Sequence, residues 1–174
     1  LQDNSDDTNE ILALSFDYDT IVRLANEALS NGHFYEAIEY FNKCLNTCSN
    51  LKIFNLCVLY NGLGQAYFGL EKYDEAESLF NKSIEIFPSL SSPYENLAAV
   101  YFKMEKYDEF FETCDLIRSN FPISAKVWYY LGHAHENRGR YDTARVAYQN
   151  AIIEGMHECV ADLNNLFKKM NNDD

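Results

Sequence analysis

The run Glu71-Lys72-Tyr73-Asp74-Glu75 returns unchanged as Glu105-Lys106-Tyr107-Asp108-Glu109 after 34 residues, and Arg140-Tyr141-Asp142 stands another 34 on. A period of this size marks a chain built from one supersecondary unit that cannot bury its apolar face alone and stacks on copies of itself. Within the unit the spacing is helical. Ile21, Leu24, Ala25 and Ala28 fall at i, i+3, i+4 and i+7, the apolar face of one helix. Asn31-Gly32-His33 then offers a residue free to take positive φ. Phe34, Ala37, Ile38, Phe41, Cys44 and Leu45 line a second helix. Four such units are expected, at about 18–51, 57–90, 91–124 and 125–158, and positions below are counted from the first residue of each.

Phe34 and Tyr73 hold the same position yet lie 39 residues apart, five more than the period, which places an insertion at Lys52 to Leu56. The run from Leu51 to Leu56 has neither Gly nor Pro, so it is expected to lengthen the following helix at its N-terminal end. A protruding end of this kind could brace the N-terminal segment or meet another subunit. Residues 1–17 carry Asp3, Asp6, Asp7 and Glu10 without a Lys or Arg and are expected to be a mostly flexible lead-in. Its short apolar patch, Ile11, Leu12, Leu14 and Phe16, could lean on the first unit. Residues 18–170 are then expected to be one domain, with 171–174 frayed. Cys159, Val160, Leu163, Leu166, Phe167 and Met170 share one face of a last helix, with Asp162, Asn165, Lys168 and Lys169 opposite. A stack of repeats needs such an end piece with a polar outer side.

Read in order, the second to fourth units hold Tyr60, Leu63, Gly64, Tyr67, Tyr73, Ala76, Phe80 and Pro88; Tyr94, Leu97, Ala98, Tyr101, Tyr107 and Pro122; and Trp128, Leu131, Gly132, Tyr141, Ala144, Tyr148 and Ala151. They spell Trp-x2-Leu-Gly-x2-Tyr, then Ala-x3-Phe, then Pro, with substitutions of like size. Over residues 18–158 the chain resembles the tetratricopeptide repeat family. The resemblance implies an all-α fold, a right-handed α-solenoid of four helix-turn-helix units closed by a C-terminal capping helix.

Small residues at position 8 (Ala25, Gly64, Ala98, Gly132) and position 20 (Ala37, Ala76, Ala144) let paired helices approach, and aromatics fill the space left. The third unit inverts the order, with Phe110 at position 20 and Cys114 at position 24, which reads as compensated packing rather than a site.

Nothing in the chain points to catalysis or a cofactor. There is no Gly-rich phosphate loop and no nucleophile elbow. His133 and His135 point to different sides of a helix, and His135 takes a core position. Cys44, Cys48, Cys57, Cys114 and Cys159 form no CxxC pair and no metal-ligand spacing, so reduced, packed thiols in a cytoplasmic (or nuclear) protein are expected. The net charge of −13 opposes nucleic-acid and anionic-membrane binding and suits a basic partner. No run of about 18 apolar residues appears.

The resemblance further implies that function resides on a concave face built from the first helix of each unit, where a protein or peptide partner binds. On that face stand Arg23, Asn26, Asn61, Gln65, Phe68, Asn96, Phe102, Lys126, Tyr129, Tyr130 and His133. Their amides can hold an extended backbone while the rings take apolar side chains. The expectation is thus a scaffold or adaptor. A self-associating subunit, or part of a larger complex, is the first alternative. A cochaperone is the second, because family members grip the C-terminal carboxylate of large chaperones with a Lys, Asn and Arg clamp. Mapped from the second unit, the clamp positions hold Asn61, Gln65, Asn96, Lys126 and Tyr130, of which only Asn96 and Lys126 agree. Two of its three cations are therefore missing.

Overall fold

A computed structural model describes residues 18–47 and 51–172. The N-terminal lead-in with its apolar patch, Cys48, and the end of the tail lie outside these residues. The chain divides into two compact units, up to Pro88 and from Ser89. The first holds α1 (Tyr18–Ser30), α2 (Phe34–Thr47), α3 (Ile53–Gly69) and α4 (Tyr73–Ile86). The second holds α5 (Ser91–Lys103), α6 (Tyr107–Asn120), α7 (Ala125–Asn137), α8 (Tyr141–Ile153) and α9 (Cys159–Asn172). Among the described residues there is no strand, and the fold is an all-α helical-repeat one.

The helices pair as the period requires. α1 packs on α2, α3 on α4, α5 on α6 and α7 on α8, and the first helices of neighbouring repeats touch within each unit, α1 with α3 and α5 with α7. The insertion lengthens a helix: α3 has 17 residues where α1, α5 and α7 have 13. Its added end leaves Ile53 65% and Phe54 49% exposed, with the Phe54 ring edge-on to Phe87 at 5.6 Å.

Each repeat turns between its helices through one left-handed residue at position 15. Gly32 and Gly139 take it at φ 75° and 69°, and Glu71 and Glu105 at φ 60° and 58°. The turn is closed by the backbone: the N–H after that residue reaches back to the carbonyl at position 11, from His33 to Ala28, Lys72 to Tyr67, Lys106 to Tyr101 and Arg140 to His135. A glutamate there costs about 1–2 kcal/mol in backbone sterics, and two repeats carry that cost.

The cores show why small and large residues alternate. Phe41, Phe80 and Tyr148, all at position 24, are wholly buried. A Cβ on Gly64 would fall 2.5 Å from the Phe80 ring, and one on Gly132 2.5 Å from Tyr148, so glycine at position 8 is what lets the ring of its own repeat close. Where position 8 is Ala25, the ring of Phe41 lies instead on Gly62 of the next repeat. The third repeat has neither opening, since Ala98 takes position 8 and Tyr130 stands where Gly62 does. There the ring has moved to Phe110, 0% exposed. A cleft of about 250 Å³, partly open to solvent, lies beside Cys114, Trp128, Leu131 and His135.

Two further contacts fix the ends of the cores. Ser83, fully buried, donates from Oγ to the Cys57 carbonyl at 2.9 Å and sits 3.0 Å from its Sγ; a buried hydroxyl without a partner would be destabilising. α9 packs on α8 and buries Cys159 and Leu166. Val160 and Phe167, expected on the buried face, are 44% and 40% exposed. The seam is the narrower series 159, 163, 166, 170, and these two residues fall on its flank.

Candidate functional site

The first helices of the third and fourth repeats bring six of the expected face residues together. Lys126 Nζ donates to Asn96 Oδ1 at 2.9 Å, joining α7 to α5 across the repeat boundary. Burial lowers the Lys126 pKa, with nearby Glu95 opposing. Phe102 of α5 is the hub of a ring cluster, 4.9 Å from Tyr130 and 6.2 Å from His133. Tyr129 lies 5.6 Å from Tyr130 and stands edge-on to His133 at 4.5 Å. All four rings are half-buried, so they are held in place by packing and still present a face.

The cluster runs into a recess between α7 and α9 lined by His133, Glu136, Asn137, Asp162, Asn165 and Lys169. Three of these, Asp162, Asn165 and Lys169, belong to the side of α9 expected to face outward. They fall at i, i+3 and i+7, one stripe that meets α7. Glu136 anchors the recess: its carboxylate accepts from the Tyr148 hydroxyl at 2.7 Å and from Lys169 Nζ. Burial pushes the Glu136 carboxyl up, but its hydrogen bonds to Lys169 and Tyr148 outweigh that and the net shift is downward. Burial likewise lowers His133, against the pull of Asp162 and Glu136, and its Nε2 is buried with no hydrogen-bond partner. His133 is therefore a neutral ring near pH 7.

A carboxyl with a depressed folded pKa stabilises the fold above its ordinary value of 4.5 and loses that contribution as pH falls through the folded value. Acid titration followed by thermal melting should show the wild type losing stability below about pH 4.5. Glu136→Gln, less stable at neutral pH, should lose less over the same range.

The five expected residues of the first unit are less concentrated. Arg23 is exposed and pairs with Glu27 of its own helix at 3.6 Å. Asn26 is exposed, and its carbonyl accepts from Ser30. Asn61 is buried and Gln65 half-buried, while the Phe68 ring meets Tyr73 of its own repeat at 5.6 Å. His135, expected at a core position, is half-buried: its ring lies tilted against Phe111 at 5.1 Å, and it lines the cleft beside Cys114. Cys44, Cys57, Cys114 and Cys159 are buried. Burial pushes the Cys114 thiol up to about 12, far from the thiolate range. Among the described residues no group of His, Cys, Asp and Glu could hold a metal ion, and no helix is long and apolar enough to cross a membrane.

Known proteins match this arrangement. Tetratricopeptide repeat models match residues 18–89 and 125–154; the third repeat, with its displaced ring, lies outside both. Among solved structures, a tetratricopeptide repeat protein from Parabacteroides merdae ATCC 43184 superposes with a TM-score of 0.73 at 19% identity, covering 86% of this chain and 57% of that one. This chain thus spans little more than half of that protein's length. A thermophilic tetratricopeptide repeat protein of Thermus thermophilus gives 0.72 at 15% identity, covering 87% and 82%. MamA from Desulfovibrio magneticus RS-1 gives 0.69 at 18%, covering 91% and 88%. At such identities these likenesses speak to fold alone. No curated protein sequence matches the chain. The period, the position-8 and position-24 packing and the two family matches lead to one conclusion: the chain belongs to the tetratricopeptide repeat family.

Proposed function

We propose that the chain is a protein-interaction scaffold that holds a segment of a partner protein on the face shared by α5 and α7. One observation carries this reading. Four half-buried rings, Phe102, Tyr129, Tyr130 and His133, form a continuous cluster beside the polar Asn96 and Lys126. Rigid aromatic surface that is already ordered loses little entropy on binding, and it is the kind of surface that dominates interface energies. A cochaperone role fits less well, because Lys126 is half-buried and its ammonium already donates to Asn96.

The test is a pull-down in which the intact chain is compared with Tyr129→Ala/Tyr130→Ala, both checked for helix content. The double variant should lose its partner while remaining helical. Equal capture by both would reject this face. A second reading, assembly with copies of itself or with other subunits, is favoured by the exposed Ile53 and Phe54 at the end of α3. Light scattering over a concentration series separates the two, since a chain that stays monomeric when concentrated does not self-associate.

A further inference from the structure

We propose that the segment held on this face carries a basic side chain, arginine in preference to lysine, seated in the recess between α7 and α9 beside Tyr129, with a neighbouring apolar side chain on Phe102 and Tyr130. This rests on the reading that α5 and α7 hold a partner segment and adds the chemistry of that partner. The recess contains two carboxylates and one ammonium, together with a neutral imidazole and two amides. Glu136 is fully engaged by Tyr148 and Lys169. Asp162 is not: it is half-buried, and its carboxylate makes no hydrogen bond or ion pair among the described residues. It lines the recess together with His133, itself a member of the ring cluster.

What is missing beside Asp162 is a cation. A guanidinium suits the place better than an ammonium, since its planar fork can meet the carboxylate in two hydrogen bonds while its face lies on the Tyr129 ring, and it is the more weakly hydrated of the two. The cations already on this side do not fill the role. Lys126 is bound to Asn96, Lys169 to Glu136, and Lys103 is exposed to water at the end of α5. The net charge of −13 would draw a basic segment from a distance. An acidic segment would have to approach both Asp162 and Glu136.

The experiment is selection from a display library of random peptides against the full chain, Asp162→Asn, and Tyr129→Ala/Tyr130→Ala. The full chain should enrich peptides with a basic residue near an aromatic or aliphatic one. Asp162→Asn should keep the apolar preference and lose the basic one. A synthetic copy of the best peptide should bind Asp162→Asn about tenfold more weakly, about 1.4 kcal/mol. Replacing its arginine by citrulline should cost the same, and the two losses should not add. If Asp162→Asn melts early, the citrulline peptide against the full chain gives the same readout. Peptides that need Tyr129 and Tyr130 but carry no basic residue would overturn the inference and leave the scaffold reading intact. Peptides indifferent to the tyrosine pair, or none at all, would overturn both.

Discussion

Phe110→Ala should lower the stability of the chain by about 3 kcal/mol, read as a drop in melting temperature or denaturant midpoint. The ring is fully buried, edge-on to Phe111 at 5.2 Å and Phe102 at 5.8 Å, and Cys114 one turn on is too small to fill the space it would leave. Truncation would leave a wall with nothing to close on. The repair is specific. Adding Cys114→Phe, which restores the order of the other repeats, should recover little while Ala98 stands at position 8 and Tyr130 at the position of Gly62, because a ring at position 24 needs glycine at one of the two. The triple variant with Ala98→Gly should recover more than the double. An unchanged midpoint for Phe110→Ala alone would mean the exchange is not a packing device.

The second large effect has the opposite sense of volume. Gly62→Ala adds one methyl to α3, where its Cβ would lie 2.3 Å from Cζ of Phe41. Alanine is favoured over glycine inside a helix by about 1 kcal/mol, so the substitution would stabilise an open site. Here Phe41 is 0% exposed and cannot swing away, and overpacking of this kind costs about 1–3 kcal/mol. The net result should be a loss of up to about 2 kcal/mol. Combined with Phe41→Leu, which withdraws the ring tip, the methyl should be tolerated, so the two changes together should cost less than the sum of each alone. A stabilised Gly62→Ala would show that the two helices stand further apart than this geometry allows.

How much of this could be read from the chain beforehand differs from residue to residue. The helix pairs were legible because the unit recurs four times, the last three at a strict 34-residue period, and each apolar face has helical spacing. The lengthened α3 was legible because the extra residues contain no breaker. Position 15 was not: Gly32 announces a left-handed residue, but Glu71 and Glu105 adopt the same backbone inside a motif that looks like ordinary charged surface. Only alignment against Gly32 and Gly139 gives them away. The displaced ring was visible as an exchange, but its reason lay in Ala98 and in the absence of a glycine matching Gly62, a relation between repeats rather than within one. On the candidate face, the ring residues were among those the family resemblance implied, although their contacts with one another were not. The extension onto α9 was not legible, because an acid, an amide and a lysine at i, i+3 and i+7 read equally well as a solvated stripe until the turn of the last helix is known.

Lys52 to Leu56 enter the chain ahead of Cys57, at the leading end of α3, and the location has a phase consequence. Each residue advances an α-helix by about 100°, so five added in mid-helix would swing everything downstream by about 140° and carry Gly62 and Gly64 away from the rings they admit. Set before the first repeat residue, the same five lengthen the rod and rotate nothing. The joints between repeats are thus the places where such a chain can gain length at no geometric penalty, and insertions engineered there should be absorbed where the same residues a few positions later would scramble the interior.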